Sequence, residues 1–311
     1  MSLSELTFPL VPRHRLLGLA FGSMHSARRG IGSDVAGSRP YRPGDDVHAI
    51  DWNASARLSS ARATDEFIVR ERFAEDAPRV VIVADRRPAM ALFPSDLPWL
   101  SKRDALVAAA EMIAESAATA RGLVGYLDFA EGEPFWRPPR SQGEARRIEE
   151  SHLVYPSFRA PEDTLRLALD HLLQSRRALP PGTFMFVLSD FLSPPPPELW
   201  LRALEQRWDI VPVVIQDPRW EQSFPDVGGL SIPVVDPATG TRGTLRLTAR
   251  EARRRRAENE ERLRDLLDVF LDLQLETIVL SSSDHEEILG SFFDWADQRR
   301  FLAGREWRRT A

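Results

Sequence analysis

Three apolar runs in this chain each end in an aspartate. "VVIVAD" ends in Asp85, "TFMFVLSD" in Asp190 and "DIVPVVIQD" in Asp217. A carboxylate at the tip of a buried strand is placed to hold something: a metal, a phosphate or a partner group. The first of the three is followed at once by Arg86, Arg87 and Pro88, then Ala89. Its neighbours are therefore cations and a methyl group, not the hydroxyls that a hard divalent cation takes as oxygen ligands.

Other chemistry is sparse. The chain has no cysteine, which excludes disulfides, thiolate catalysis and thiolate zinc sites. Its 6 histidines are scattered without a His-x-x-x-His pair, and there is no Gly-x-Ser-x-Gly elbow and no P-loop. Asp45, Asp46 and Asp51 with His48 make one acidic cluster. It reads either as a metal or acid–base group, or as a turn whose carboxylates accept backbone N–H bonds. The run "AREARRRRAENEERLRDLL" interleaves both charge signs on a helix and reads as a solvated face.

The elements that must position these residues follow from periodicity. From Val80 onward, short apolar strands alternate with helix-length segments. The strands are Val80–Ala84, Gly122–Phe129, Thr183–Phe191, Asp209–Asp217 and Glu276–Leu280. Helices are expected from Ser101, which can cap its own helix, over "QGEARRIEES" and over "PEDTLRLALDHLLQSRRAL". Further helices are expected near Leu199–Trp208, Ala249–Leu271 and Asp284–Leu302. A hairpin is predicted near 231–247, turning at "DPATG". This alternation predicts an α/β domain over 79–311 with a mostly parallel, doubly wound sheet covered by helices on both faces. Ligands in such sheets lie beyond the carboxyl ends of the strands, where Asp85, Asp190 and Asp217 sit. Residues 1–78 lack a long helical period and read as a β-rich segment that ends in the strand "DEFIVRERF".

Composition narrows the function classes. A net charge of −5 argues against general nucleic-acid binding. No apolar run reaches the roughly 20 residues that span a bilayer. The N-terminal stretch, interrupted by Pro9 and Pro12, makes a poor signal peptide, so a cytoplasmic location is expected.

The stretch "YRPGDDVHAIDWNASAR" resembles the bacterial domain-of-unknown-function 58 family. The matching residues are Tyr41, Gly44, Asp45, Asp46, Asp51, Trp52, Ser55, Ala56 and Arg57. The later segments "LSDF", "QDP" and "VVDPATG" fit the same order. The resemblance implies a von Willebrand factor A-like fold. It also implies a partner or adaptor role with a MoxR-type AAA+ ATPase, whose genes commonly neighbour those of the family, and it implies no enzymatic activity and no cofactor. Within that reading the motif residues are structural or partner-binding, with Trp52 as a core anchor and Arg57 paired to Asp45 or Asp51.

A von Willebrand A domain often binds a divalent cation through Asp-x-Ser-x-Ser after its first strand, completed by a Thr and an Asp from other loops. The resemblance puts Asp85, Arg87 and Ala89 at the first three positions, Asp163 or Thr164 near the Thr, and Asp190 at the last. The carboxylates are kept and the hydroxyls are lost. The expectation is a degenerate, metal-free site in which Arg87, or failing that Arg86, lies between Asp85 and Asp190. The competing readings are a divalent-metal hydrolase or a metal-mediated adhesion module built on Asp85 and Asp190.

Overall fold

The computed structural model describes residues 6–13, 25–29, 35–41, 50–62, 67–75, 77–92, 99–139, 157–236 and 239–310. The chain divides into one unit of residues 14–77 and a second made of residues 1–13 with 78–311.

In the smaller unit, β1 (His25–Arg29), β2 (Val35–Pro40) and β3 (Ile68–Glu75) form an antiparallel sheet in the order β1-β3-β2. It also carries a helix, α1 (Trp52–Arg62), where no helical period was expected. The run "WNASARLSSAR" is mostly Ala, Ser and Arg, so it draws no apolar stripe that periodicity can detect. Capping starts it instead. The Asp51 carboxylate accepts from Ala54 N (3.1 Å). Ser55, nearly buried, donates its hydroxyl to Asp51 O (2.7 Å) and accepts from Ile68 N (2.8 Å), pinning the helix to the start of β3. Trp52 is not a core anchor. It is 62% exposed and meets Phe67 edge-on at 6.0 Å.

In the larger unit, six strands form one sheet. They are β4 (Arg79–Ala84), β5 (Leu123–Asp128), β6 (Phe135–Arg137), β7 (Phe184–Ser189), β8 (Asp209–Ile215) and the later β11 (Ile278–Leu280). Their order is β11-β8-β7-β4-β5-β6, parallel except for β6. Val80 of β4 pairs with Val124 on one side and Phe184 on the other. Central strands buried on both faces need apolar side chains at every position, which is why they read as unbroken runs. β9 (Ser231–Val235) and β10 (Arg242–Arg246) form the separate antiparallel hairpin.

Helices cover both faces. On one, Val81, Val83, Met185 and Val187 pack with residues of α3 (Thr164–Gln174), α4 (Pro197–Leu204) and α5 (Ala249–Asp272), Trp200 and Phe270 among them. On the other lie α2 (Lys102–Thr119) and α6 (His285–Thr310), where Phe186 meets Phe292 and Trp295. The helix expected over "QGEARRIEES" lies outside the described residues.

The expected 1–78 segment is corrected at its start. Leu6, Phe8 and Leu10 are buried, and all three belong to the α/β unit. Phe8 stacks on Phe292 at 4.3 Å, and its N–H donates to Ser116 Oγ (3.0 Å). Below them Arg299 grips the Asp209 carboxylate with both terminal nitrogens (3.0 and 2.9 Å) and donates to Val11 O (2.9 Å). Arg13 N reaches the same carboxylate (2.8 Å). Three sequence-distant segments thus meet at the amino end of β8. Phe8→Ala removes a stacked ring from this core, and a loss of about 3–5 kcal/mol is expected. Urea denaturation checks this, and a midpoint equal to the parent's would show that the segment does not stabilise the unit.

Candidate functional site

The strand order reverses direction between β4 and β7. The chain leaves β4 toward β5 and β6 on one side, and leaves β7 toward β8 and β11 on the other. The carboxyl ends of these two neighbours border the crevice in which doubly wound sheets place ligands. Asp85 follows β4 and Asp190 follows β7, and the ladder continues through Asp85 N to Leu188 O (2.9 Å). Both carboxylates are fully buried.

Arg87 lies between them. Its Nε donates to Asp85 Oδ1 and Oδ2 (3.2 and 3.0 Å), and its Nη2 reaches Asp85 Oδ2 (2.7 Å) and Asp190 Oδ1 (2.5 Å). The Arg87 N–H also donates to Asp85 Oδ1 (2.9 Å), and Ser189 Oγ donates to Asp85 Oδ2 (2.6 Å). Four donors, Arg87 Nε reaching both oxygens, therefore converge on the Asp85 carboxylate and match its roughly four lone-pair sites. Arg86 turns elsewhere, toward Tyr126 OH (3.0 Å from Nη2) and Asp128 (3.7 Å), with its guanidinium over the Phe158 ring. Of the two arginines that follow β4, Arg87 is the one that fills the crevice.

A second cation completes the cluster. Lys102, the chain's single lysine, opens α2 and is fully buried. Its Nζ donates to Asp190 Oδ2 (3.0 Å) and Glu221 Oε1 (2.6 Å). Glu221 Oε2 accepts from Asp217 N (2.8 Å). The Asp217 carboxylate is held by Trp99 Nε1 (2.6 Å) and by the N–H groups of Arg219 and Trp220 (2.8 and 2.9 Å). At the rim, Glu162 accepts from Arg87 Nη1 (2.9 Å) and Ser193 Oγ (2.6 Å), although its side chain is 76% exposed.

Two cations thus share a buried space with three carboxylates: Asp85, Asp190 and Glu221. The titration behaviour follows from this imbalance. Burial by itself pushes Asp190 up, but Lys102 and Arg87 outweigh it and hold its carboxyl below the usual range. Burial pushes Glu221 up, and the single Lys102 contact does not bring it back. Burial lowers Arg87 and Lys102, and the carboxylates around each more than reverse that. Placing each charge so deep is unfavourable unless its partners are in contact, so the cluster holds together only as a set.

The turn after β7 is strained. Phe191 sits at φ +50, a left-handed conformation that a bulky residue adopts at a cost of about 1–2 kcal/mol. Its buried ring packs edge-on against Phe270 at 5.2 Å, and its N–H donates to Ser189 Oγ (3.0 Å). Leu192 N then returns to Asp190 Oδ1 (3.0 Å), so the strained turn orients the carboxylate.

Several expected site residues stand apart. Ala89 lies in the short 3-10 turn Pro88–Ala91, half-buried, and offers no ligand atom. Asp163 does not reach the crevice: it faces outward and accepts from Arg166 Nε (3.1 Å). Thr164 is buried as the first residue of α3. The residue that does reach Arg87 from this loop is their neighbour Glu162. Tyr41 holds Phe67 O through its N–H (2.8 Å), and Arg57 is exposed on α1. Gly44, Asp45 and Asp46 lie outside the described residues.

Lys102, Glu162, Ser189 and Glu221 were not singled out from sequence. Lys102 did leave a trace: a cation in the first helical turn opposes the helix dipole, and such local conflicts mark functional or strained positions.

A family model described as "Protein of unknown function DUF58" matches residues 37–265, a stretch that includes Asp51, Ser55, Asp85, Arg87, Lys102, Asp190 and Glu221. The chain belongs to the DUF58 family. DUF58 relatives among curated proteins include uncharacterized proteins of Mycobacterium bovis and Mycobacterium tuberculosis. Each is 28% identical over 225 residues, covering 71% of this chain and 67% of its own length. Two solved structures align over 71% of the chain and 99% of their own. One is described as the conserved hypothetical protein BatB from Bacteroides thetaiotaomicron (14% identity, TM-score 0.37). The other is described as an aerotolerance-related membrane protein from Bacteroides fragilis (10% identity, TM-score 0.38). Alignments this weak do not decide the fold of a DUF58 chain; its strand order does. No helix among the described residues is long and apolar enough to cross a membrane.

The donor set does not fit a divalent cation. The crevice between Asp85 and Asp190 is filled by a guanidinium and faced by an ammonium, and both repel Mg²⁺ where it would need to bind.

Two outcomes follow from this geometry. Arg87→Ala leaves Asp85 and Asp190 buried without their shared cation, and a loss of about 3–5 kcal/mol is expected in denaturant titration; a variant as stable as the parent contradicts the buried pair. The second concerns pH. Glu221, raised in the folded protein, binds its proton more tightly folded than unfolded. Its contribution to stability therefore falls as pH rises from the ordinary carboxylate range through its raised value. Asp190, lowered in the folded protein, has the opposite sign: its contribution is present above the ordinary carboxylate range and is lost as pH falls. Glu221→Gln should abolish the first trend and leave the acid-side loss in place. Denaturation midpoints across weakly acidic pH check this, and a pH profile parallel to the parent's would refute the role given to Glu221.

Proposed function

We propose that this chain is a non-catalytic protein-interaction module, acting as a partner or adaptor of a MoxR-type AAA+ ATPase in the chaperone-like maturation of other proteins. The observation that carries the non-catalytic half is the Arg87 fork. The ligand crevice of a doubly wound sheet is closed by the protein's own ion pairs, and both oxygens of Asp85 are engaged. Neither carboxylate is free to act as a general base or to ligate a hydrolytic metal. Numbered from β4, the sheet order is 3-2-1-4-5-6 with its third strand antiparallel, which supports the von Willebrand factor A-like reading. On that reading the stretch Asp85 to Ala89 is a metal-ion-dependent adhesion site whose cation has been replaced by Arg87.

The ATPase half rests on family membership, because genes of this family commonly neighbour those of MoxR-type ATPases. A cytoplasmic location belongs to the same proposal. The test uses the purified full chain and a MoxR-type AAA+ ATPase from the same genome. Capture of the ATPase, with a change in its ATP turnover, is the expected result; neither capture nor change overturns the partnership. A calorimetric titration with Mg²⁺ or Mn²⁺ should show no saturable uptake. Uptake that disappears in Asp85→Ala would restore the metal-site reading.

A further inference from the structure

Beside the closed crevice the surface opens into a groove of about 510 Å³ between the loop that follows β7 and the exposed face of α5. Its floor is apolar, made by Phe191, Trp200, Leu266, Val269 and Phe270. One wall is the run Pro194–Pro197, and the other carries Glu258, Glu261, Arg262 and Asp265. The size falls within the roughly 300–1,000 Å³ typical of ligand clefts.

The polar chemistry of this groove is one-sided. Four consecutive prolines bring no N–H donor. The N–H groups of Phe191 and Leu192 are committed to Ser189 Oγ and Asp190 Oδ1. Among the described residues the one cation lining the wall is committed as well: Arg262 Nη2 donates to Glu221 O (2.6 Å) and Nη1 to Asn259 Oδ1 (3.0 Å). Glu258 accepts from Arg254 (2.7 Å), while Glu261 and Asp265 stand exposed one turn apart on the same helix face. The groove therefore offers an apolar floor, a rim of acceptors and almost no donors.

The groove is also preformed. Its proline wall is stiff, and the loop that carries it returns to Asp190 through Leu192. Its helical wall is tied through Arg262 to the backbone of Glu221, which holds Lys102. Both walls are thus braced against the buried ion cluster, which lowers the ordering cost of a bound segment.

We infer that this groove docks a partner segment that presents a large apolar side chain flanked by arginine or lysine. The inference rests on the interaction-module reading and adds the chemistry of the partner. The apolar side chain fills the floor, and the flanking cations supply the donors that the Glu261 and Asp265 rim lacks.

The probe is a blocked, dye-labelled hexapeptide, Arg-Leu-Trp-Arg-Leu-Arg, followed by fluorescence anisotropy with the full chain at low ionic strength. Saturable binding is expected. It should weaken about tenfold when Glu261→Arg and Asp265→Arg are combined, since two exposed charge contacts are reversed. Asp268→Arg, on the same helix but outside the groove, should leave it unchanged. The same peptide with glutamate for each arginine, or with serine for leucine and tryptophan, should not bind. Absence of saturable binding, equal binding of the glutamate peptide, or equal weakening by Asp268→Arg would overturn the inference. ATPase capture is measured on the same preparation. Capture without peptide binding removes the groove and leaves the ATPase partnership standing; peptide binding without capture does the reverse.

Discussion

The structure turns on one buried guanidinium. Arg87 lies where the sheet reverses its winding, between two carboxylates that the strand ends bring together. Asp85 and Asp190 come together because β4 and β7 are adjacent and parallel, with Ala84 opposite Leu188, so that the two chain segments leave the sheet side by side. Two like charges placed there, out of water, would repel strongly. A cation between them removes that repulsion, and here the chain carries its own. An arginine suits the place because its planar fork meets two carboxylates at once and keeps its proton at any ordinary pH.

From that constraint the rest of the carboxyl edge follows. One guanidinium does not balance three buried carboxylates, and Lys102 supplies the second positive charge from the first turn of α2. Glu221 remains the excess acid and titrates high, while Asp190 touches both cations and titrates low. The loops that deliver these residues are held by the same bonds. Asp190 fixes the strained turn at Phe191, and Glu221 positions the loop onto which Arg262 of α5 docks. A site that in other folds is open for ligand has here become a brace, and the open surface lies beside it.

The opposite edge shows a parallel solution. Asp209, at the amino end of β8, is gripped by Arg299 from the last helix, with Arg13 and Val11 of the N-terminal segment joining the same contact. In both places an arginine fork closes a sheet edge by joining segments far apart in sequence. In a chain with 41 basic residues and a single lysine, the fork is the available tool. The exception, Lys102, occupies the most enclosed of these positions, where a slim stem and a point charge reach between Asp190 and Glu221.

The amino-acid sequence by itself determined the α/β alternation, the buried strands with aspartates at their tips, and the loss of hydroxyls after Asp85. Each is local: an unbroken apolar run, a residue type, a spacing. It also carried the DUF58 motif, although the helix inside that motif was hidden by its Ala- and Ser-rich composition. The spacing favoured Arg87 over Arg86 as the cation between the carboxylates, but only the tertiary structure decided it, because the two neighbours diverge by one step along the backbone and Arg86 turns to Tyr126. Only it replaced Asp163 with Glu162, brought Lys102 and Glu221 to Asp190, and returned Phe8 to the core of a unit that otherwise begins at Pro78. Those are contacts between residues tens to hundreds of positions apart. No periodicity records them, because the sheet order and the loop paths that create them are chosen by the packing of the whole unit.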